Sequence, residues 1–361
     1  MKMDLLKSAL IVPALALPLS GLALAQDGAA GTAPPRPRFV TLPPKPSTNA
    51  VRPAVTLPTW NGSFTHSGHT YKYNMVGTAP SSNSTTTIPV YIVPIKVVIT
   101  ASNGTKTTFD PAHVLTNGKT VIQNTVASPL FDSTTTYTQG GVNVGTTQYI
   151  DAYQRANFWG KVKSNPHYHL LLGAPTVLAE QTLSPPARDG STGSPFGFTA
   201  GEVDINWFDA QVQAIMKSFS QIQPNTLPIF LTYDVYLTEG GCCIGGYHSG
   251  TGAQAYMHAT YVDVVGQFSQ NVSALSHEIG EWADDPLVNN AGNNTPCGIL
   301  EVGDPLEGNP NFGSYAYSLG GFTYDLQDLV TLPYFGAPAN TSVKGFFTFQ
   351  GESLSVCQNG S

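Results

Sequence analysis

Ser273-Ala274-Leu275-Ser276-His277-Glu278-Ile279-Gly280-Glu281-Trp282-Ala283-Asp284-Asp285-Pro286 is the stretch on which the reading of this chain turns. Residues four apart share a helix face, so His277 and Glu281 reach one ion if the segment is helical. Glu278, next round the helix, then lies beside that ion, where a carboxylate takes a proton from water. The pattern is that of a His-Glu-x-x-His zinc helix with glutamate in place of the second histidine, and zinc accepts mixed imidazole and carboxylate sets in catalytic sites. Ser273 or Ser276 is the expected N-cap, and Pro286 pushes Asp285 out of helical geometry, so the predicted helix is short. An unbroken helix returns Asp284 to the face of His277; a frayed end admits Asp285.

Working outward, Gly241-Cys242-Cys243-Ile244-Gly245-Gly246-Tyr247-His248-Ser249 reads as a glycine-rich loop presenting His248. Residues 256–264 alternate as a strand does. Downstream, Glu301-Val302-Gly303-Asp304-Pro305 sets two carboxylates three apart between glycine and proline, which suits a tight loop. This order of strand, loop, strand, helix and loop predicts a metal site of His277 and Glu281 with one or two of His248, Asp285, Glu301 and Asp304, and Glu278 as the catalytic carboxylate. Zinc is the expected ion.

The same residues resemble the secreted EXORDIUM or phosphate-induced proteins. Those carry a His-Glu-Ile/Leu-x-Glu-x-x-Thr-Asp-Pro helix, preceded by a Gly-Tyr/Trp-His loop and followed by Glu-Ile-Gly-Asp. The resemblance covers about residues 225 to 305 and matches His248, His277, Glu278, Glu281, Asp285, Glu301 and Asp304 to the family's polar positions, with Asp284 where threonine is usual. It implies a shared site in a secreted protein linked to the cell wall or extracellular matrix, carrying a metallopeptidase-like helix.

Residues 1–25 hold Lys2 and Lys7, an apolar run and the small-residue exit Ala23-Leu24-Ala25, the pattern of a secretory signal peptide. Export is therefore expected, with no membrane anchor after cleavage. Loss of two lysines and one aspartate with that segment moves the formal net charge from −7 to −8. A mildly acidic chain with 11% charged residues offers no footprint for nucleic acid. Four cysteines in an exported chain predict disulfides. A bond between adjacent Cys242 and Cys243 closes a strained eight-membered ring, so each is expected to pair with one of Cys297 and Cys357.

Residues 26–60, rich in proline and without hydrophobic periodicity, read as a linker or tail, and 61–361 as a single domain. Apolar runs at 88–99 and 227–236 read as strands whose internal prolines argue for edges or bulges. Residues 149–159 and 203–220 have helical spacing. His167 and His169, two apart, offer a weaker pair for metal. The expected class is α+β, a zincin-like domain with a mixed sheet and a metal-type helix. Two functions fit: a metal-dependent hydrolase acting on peptide or protein, or a non-catalytic protein with a structural metal or polar site.

Overall fold

The structure is a computed structural model that describes residues 35–46, 55–290, 300–351, 354 and 357. Its centre is an eleven-stranded mixed sheet. Val90–Thr100, Leu227–Tyr233 and Gln254–Tyr261 run parallel to one another, and Cys242–Thr251 closes antiparallel on the last of these. Val90–Thr100 and Leu227–Tyr233 are buried on both faces, which is why they read as continuous apolar runs. Strand parity divides their side chains. Ile92, Ile229, Leu231, Met257 and Ala259 belong to one core. Val93, Phe230, Tyr247 and Tyr256 belong to the other, beneath the helix Ile205–Ser218 through Phe208, Val212 and Met216.

The class is α+β. The two proline-containing runs are central, contrary to the edge expectation. Pro94 falls between Ile92, which pairs with Val177, and Ile95, which pairs with Gln181, so the outer ladder is broken where its missing N–H would count. Pro228 precedes Ile229, where pairing to Gln254–Tyr261 begins. The glycine-rich segment expected as a loop is also a strand, Cys242–Thr251. It is strand rather than loop because neighbours on both sides satisfy its backbone: Gln254–Tyr261 on one, and Arg38–Thr41 on the other.

That last pairing revises the proline-rich linker. Arg36 N–H donates to Cys242 O at 2.7 Å, Leu42 N–H to His248 O at 3.2 Å and Lys45 N–H to Gly250 O at 2.9 Å. In return Arg36 O accepts from Cys243 and Lys45 O from Gly252. Prolines 35, 37, 43, 44 and 46 occupy the positions between these donors, where no inward N–H is needed. Residues 36–45 thus form a strap along the strand.

The metal-type helix is Ser273–Asp284, every residue of it buried. It packs on Cys242–Thr251, Gln254–Tyr261, His69–Val76 and Phe322–Gln327, and a helix covered on all sides must be apolar or internally matched around its whole circumference. Neither serine caps it. Val272 is the N-cap, and Ser276 Oγ instead accepts from Gln327 N–H at 2.7 Å. At the other end Asp285 leaves helical geometry at φ −142° ahead of Pro286.

Cys242 and Cys243 are disulfide-bonded to each other, which overturns the expected long-range pairing of these two. Cys357 is disulfide-bonded as well. Cys297 and the expected signal peptide, residues 1–25, lie outside the described residues.

Candidate metal centre

Strand parity turns His248, opposite Met257, toward the site helix, while His258, opposite Tyr247, points to the other core. There His258 is held neutral, its pKa pushed down to about 3 by burial, and it bonds Thr232 Oγ1 at 2.9 Å. His248 has a different environment. Its Nδ1 lies 3.4 Å from Glu278 Oε2 and 3.5 Å from Glu281 Oε2. One turn away, His277 Nε2 lies 2.9 Å from Glu281 Oε1 and 3.6 Å from Asp304 Oδ1. Among the described residues the ligand atoms fall into two sets, His248/Glu278/Glu281 and His277/Glu281/Asp304, which share Glu281.

The approach of strand to helix depends on glycine at two points. A Cβ on Gly246 would stand 2.6 Å from Glu278 Oε1 and 3.0 Å from the carbonyl of His258. A Cβ on Gly303 would collide with the His277 ring, so the acidic loop closes on the helix only because that position is bare.

Both ring nitrogens of His248 and His277 and both carboxylate oxygens of Glu278 and Glu301 are buried without an aligned hydrogen bond, their polar neighbours being one another across ion-pair distances. Leaving such groups unmatched costs about 1–3 kcal/mol each, more for charges. A divalent cation satisfies all of these donor types at once, and carboxylate plus imidazole is a set that zinc accepts. The residues therefore fit a metal ion.

The electrostatics have the same origin. Burial opposes charge on His277, but Glu281 beside it outweighs burial and lifts its pKa to about 10. Burial alone would raise Glu281, and His277 and His248 together hold it below the usual carboxylate range. Burial lifts Glu278 to about 7, with His248 opposing. Burial and the charge of Glu281 push Glu301 well above its ordinary value. Glu278 and the neighbouring Glu307 are both raised toward neutrality by burial.

The structure brings together His248, His277, Glu278 and Glu281, with Asp304 at the rim, where its side chain is 46% exposed. Glu301 is buried close enough to Glu281 and His248 to feel both. Asp285 is not in either ligand set. Its Oδ1 accepts the backbone N–H groups of Asn289 at 2.9 Å and Asn290 at 3.1 Å, closing the turn after the helix. Asp284 points away, to Tyr153 and Gln154. His169 Nδ1 lies 2.8 Å from Asp151 Oδ2, a hydrogen-bonded pair, and His167 is exposed.

Sequence reasoning missed Phe39 and Glu307. The Phe39 ring lies 4.0 Å, centroid to centroid, from that of His277, and its N–H donates to Glu307 Oε1. A lone aromatic residue inside a proline-rich run was the available signal. The chain matches no family model, no curated protein and no solved structure. Among the described residues, no helix is long and apolar enough to cross a membrane.

Proposed function

We propose that this protein is a secreted, metal-dependent hydrolase, with zinc as the ion and peptide or protein as the substrate. The observation that carries the reading is the buried convergence of imidazole and carboxylate atoms, without aligned hydrogen bonds, on one helix and its facing strand. His277, Glu281 and Asp304 hold the ion, with His248 and Glu301 completing its surroundings. A bound dication supplies Lewis acidity and lowers the pKa of water. Glu278, with its carboxyl near 7, accepts the proton and returns it to the leaving group. The zincin-like arrangement, a metal helix laid on a mixed sheet, and the kinship with EXORDIUM proteins belong to this proposal, as does export.

The expected outcome is that purified protein carries zinc and that His277→Ala releases it, measured by plasma emission spectroscopy. Glu278→Gln keeps the amide in place of the carboxylate but cannot take the proton. It should retain zinc and melting temperature while hydrolysis of casein falls by about 10²–10⁴-fold. Equal loss of zinc in Glu278→Gln and Glu281→Gln would make Glu278 a ligand and remove its catalytic role.

One observation favours the second reading, a structural ion. His248, His277, Glu278 and Glu281 are all 0–1% exposed, and a catalytic ion keeps a position open to water. Wild-type protein that holds zinc but shows no chelator-sensitive turnover would support it.

A further inference from the structure

We propose that residues 36–45 are a displaceable strap over the metal site, seated on the strand edge where an extended peptide carrying an aromatic side chain docks. The inference rests on the hydrolase reading above and names the substrate class and the gate for that site. As folded, the ligands are sealed, and the strap contributes the cover: Phe39 lies across the His277 ring, and Thr41 sits opposite His248 in register.

Its attachment suits an occupant that leaves. Within residues 35–46 only Phe39 is buried, at 4%, and the remainder are half-buried or exposed. Besides backbone hydrogen bonds, its side-chain anchors are Phe39, the half-buried Val40 and Leu42 against the second core, the exposed pair Arg38–Glu239 at 3.3 Å, and Lys45 on the buried carboxylate of Asp209. Asp209 keeps donors of its own when Lys45 departs, Tyr256 OH at 2.7 Å, Gln213 Nε2 at 2.8 Å and Tyr247 OH at 3.1 Å.

What the strap would uncover is specific. The N–H groups of Cys243 and Gly252 and the carbonyls of Cys242, His248 and Gly250 form a row along one edge. Such a row is satisfied by an extended backbone and by little else. The space held by Phe39 adds an apolar slot against His277, which an aromatic side chain of the incoming peptide fills.

The test uses full-length, zinc-loaded protein and the rate at which EDTA extracts the zinc. Phe39→Ala and Lys45→Ala should each retain zinc at rest and a folded melting transition. Extraction should accelerate at least about tenfold, as expected when a buried aromatic anchor is lost from a two-state cover. Casein hydrolysis should rise in parallel. A synthetic peptide spanning residues 35–46 should slow extraction again in Phe39→Ala, whereas the same peptide with alanine for Phe39 should not. Equal extraction rates in wild type and both variants, with zinc content full, would overturn the strap alone. Absence of zinc from wild type would overturn the hydrolase reading and the strap together.

Discussion

Tyr153 has one hydroxyl hydrogen and two oxygens within its reach, Val330 O at 2.7 Å and Asp284 Oδ2 at 3.0 Å. A single hydroxyl hydrogen is shared between two acceptors unless Asp284 supplies a second, so the buried network favours a protonated carboxyl. Burial, opposed by Gln154 and Tyr153, acts in the same direction and lifts Asp284 to about 7. A raised carboxyl pKa means that the folded state keeps a proton that the unfolded chain has released from about pH 4 upward. Stability from this group therefore falls as pH rises through the window from about 4 to 7. Asp284→Asn places an N–H₂ where the proton sits and removes the slope. Its melting temperature should exceed that of wild type more at pH 8 than at pH 5, by an amount equivalent to at most about 4 kcal/mol. A difference independent of pH would show that Asp284 is ionised in the fold. Sequence alone offered Asp284 and Asp285 as alternatives for the metal and could not see that Tyr153 and Asn290, 131 and 5 positions away respectively, claim them first.

At the scale of elements, the contact between site helix and His248 strand is set by Gly246. Alanine there would press on Glu278 Oε1 at 2.6 Å, which a flexible side chain can yield, and on the His258 carbonyl at 3.0 Å, which a backbone cannot. Gly246→Ala should cost about 1–3 kcal/mol, the usual penalty for overpacking, and lower casein hydrolysis with zinc retained, because the side chain displaced is Glu278. Denaturant melts, zinc analysis and casein hydrolysis check this. Loss of zinc in Gly246→Ala would place Glu278 among the ligands instead. The helix itself was legible because His277, Glu278 and Glu281 carry helical spacing and Pro286 gives its end. The strand was not, since its glycines, read as loop formers, are there to admit the helix. Pro94 and Pro228 misled for a related reason: whether a missing N–H matters depends on what lies alongside, and a single sequence does not show its neighbours.

For the whole molecule, the mixed α+β class followed from alternating apolar runs and amphipathic stretches such as Ile205–Ser218. The site residues were legible because they lie within 56 positions of one another, from His248 to Asp304. The cover was not, because Arg36 meets Cys242 across some 200 residues and nothing in a proline-rich run announces its partner. That separation also imposes an order of assembly. A chain made from its N-terminus holds residues 36–45 without a seat until the strand Cys242–Thr251 exists and has paired with Gln254–Tyr261. Long-range closures of this kind come late, so the metal cavity takes shape uncovered and is roofed afterwards. Zinc present during refolding should therefore enter within the dead time of folding. Zinc added to protein already folded without it should enter slowly, at the rate at which the roof lifts, and stopped-flow uptake in the two protocols should differ in wild type and converge in Phe39→Ala.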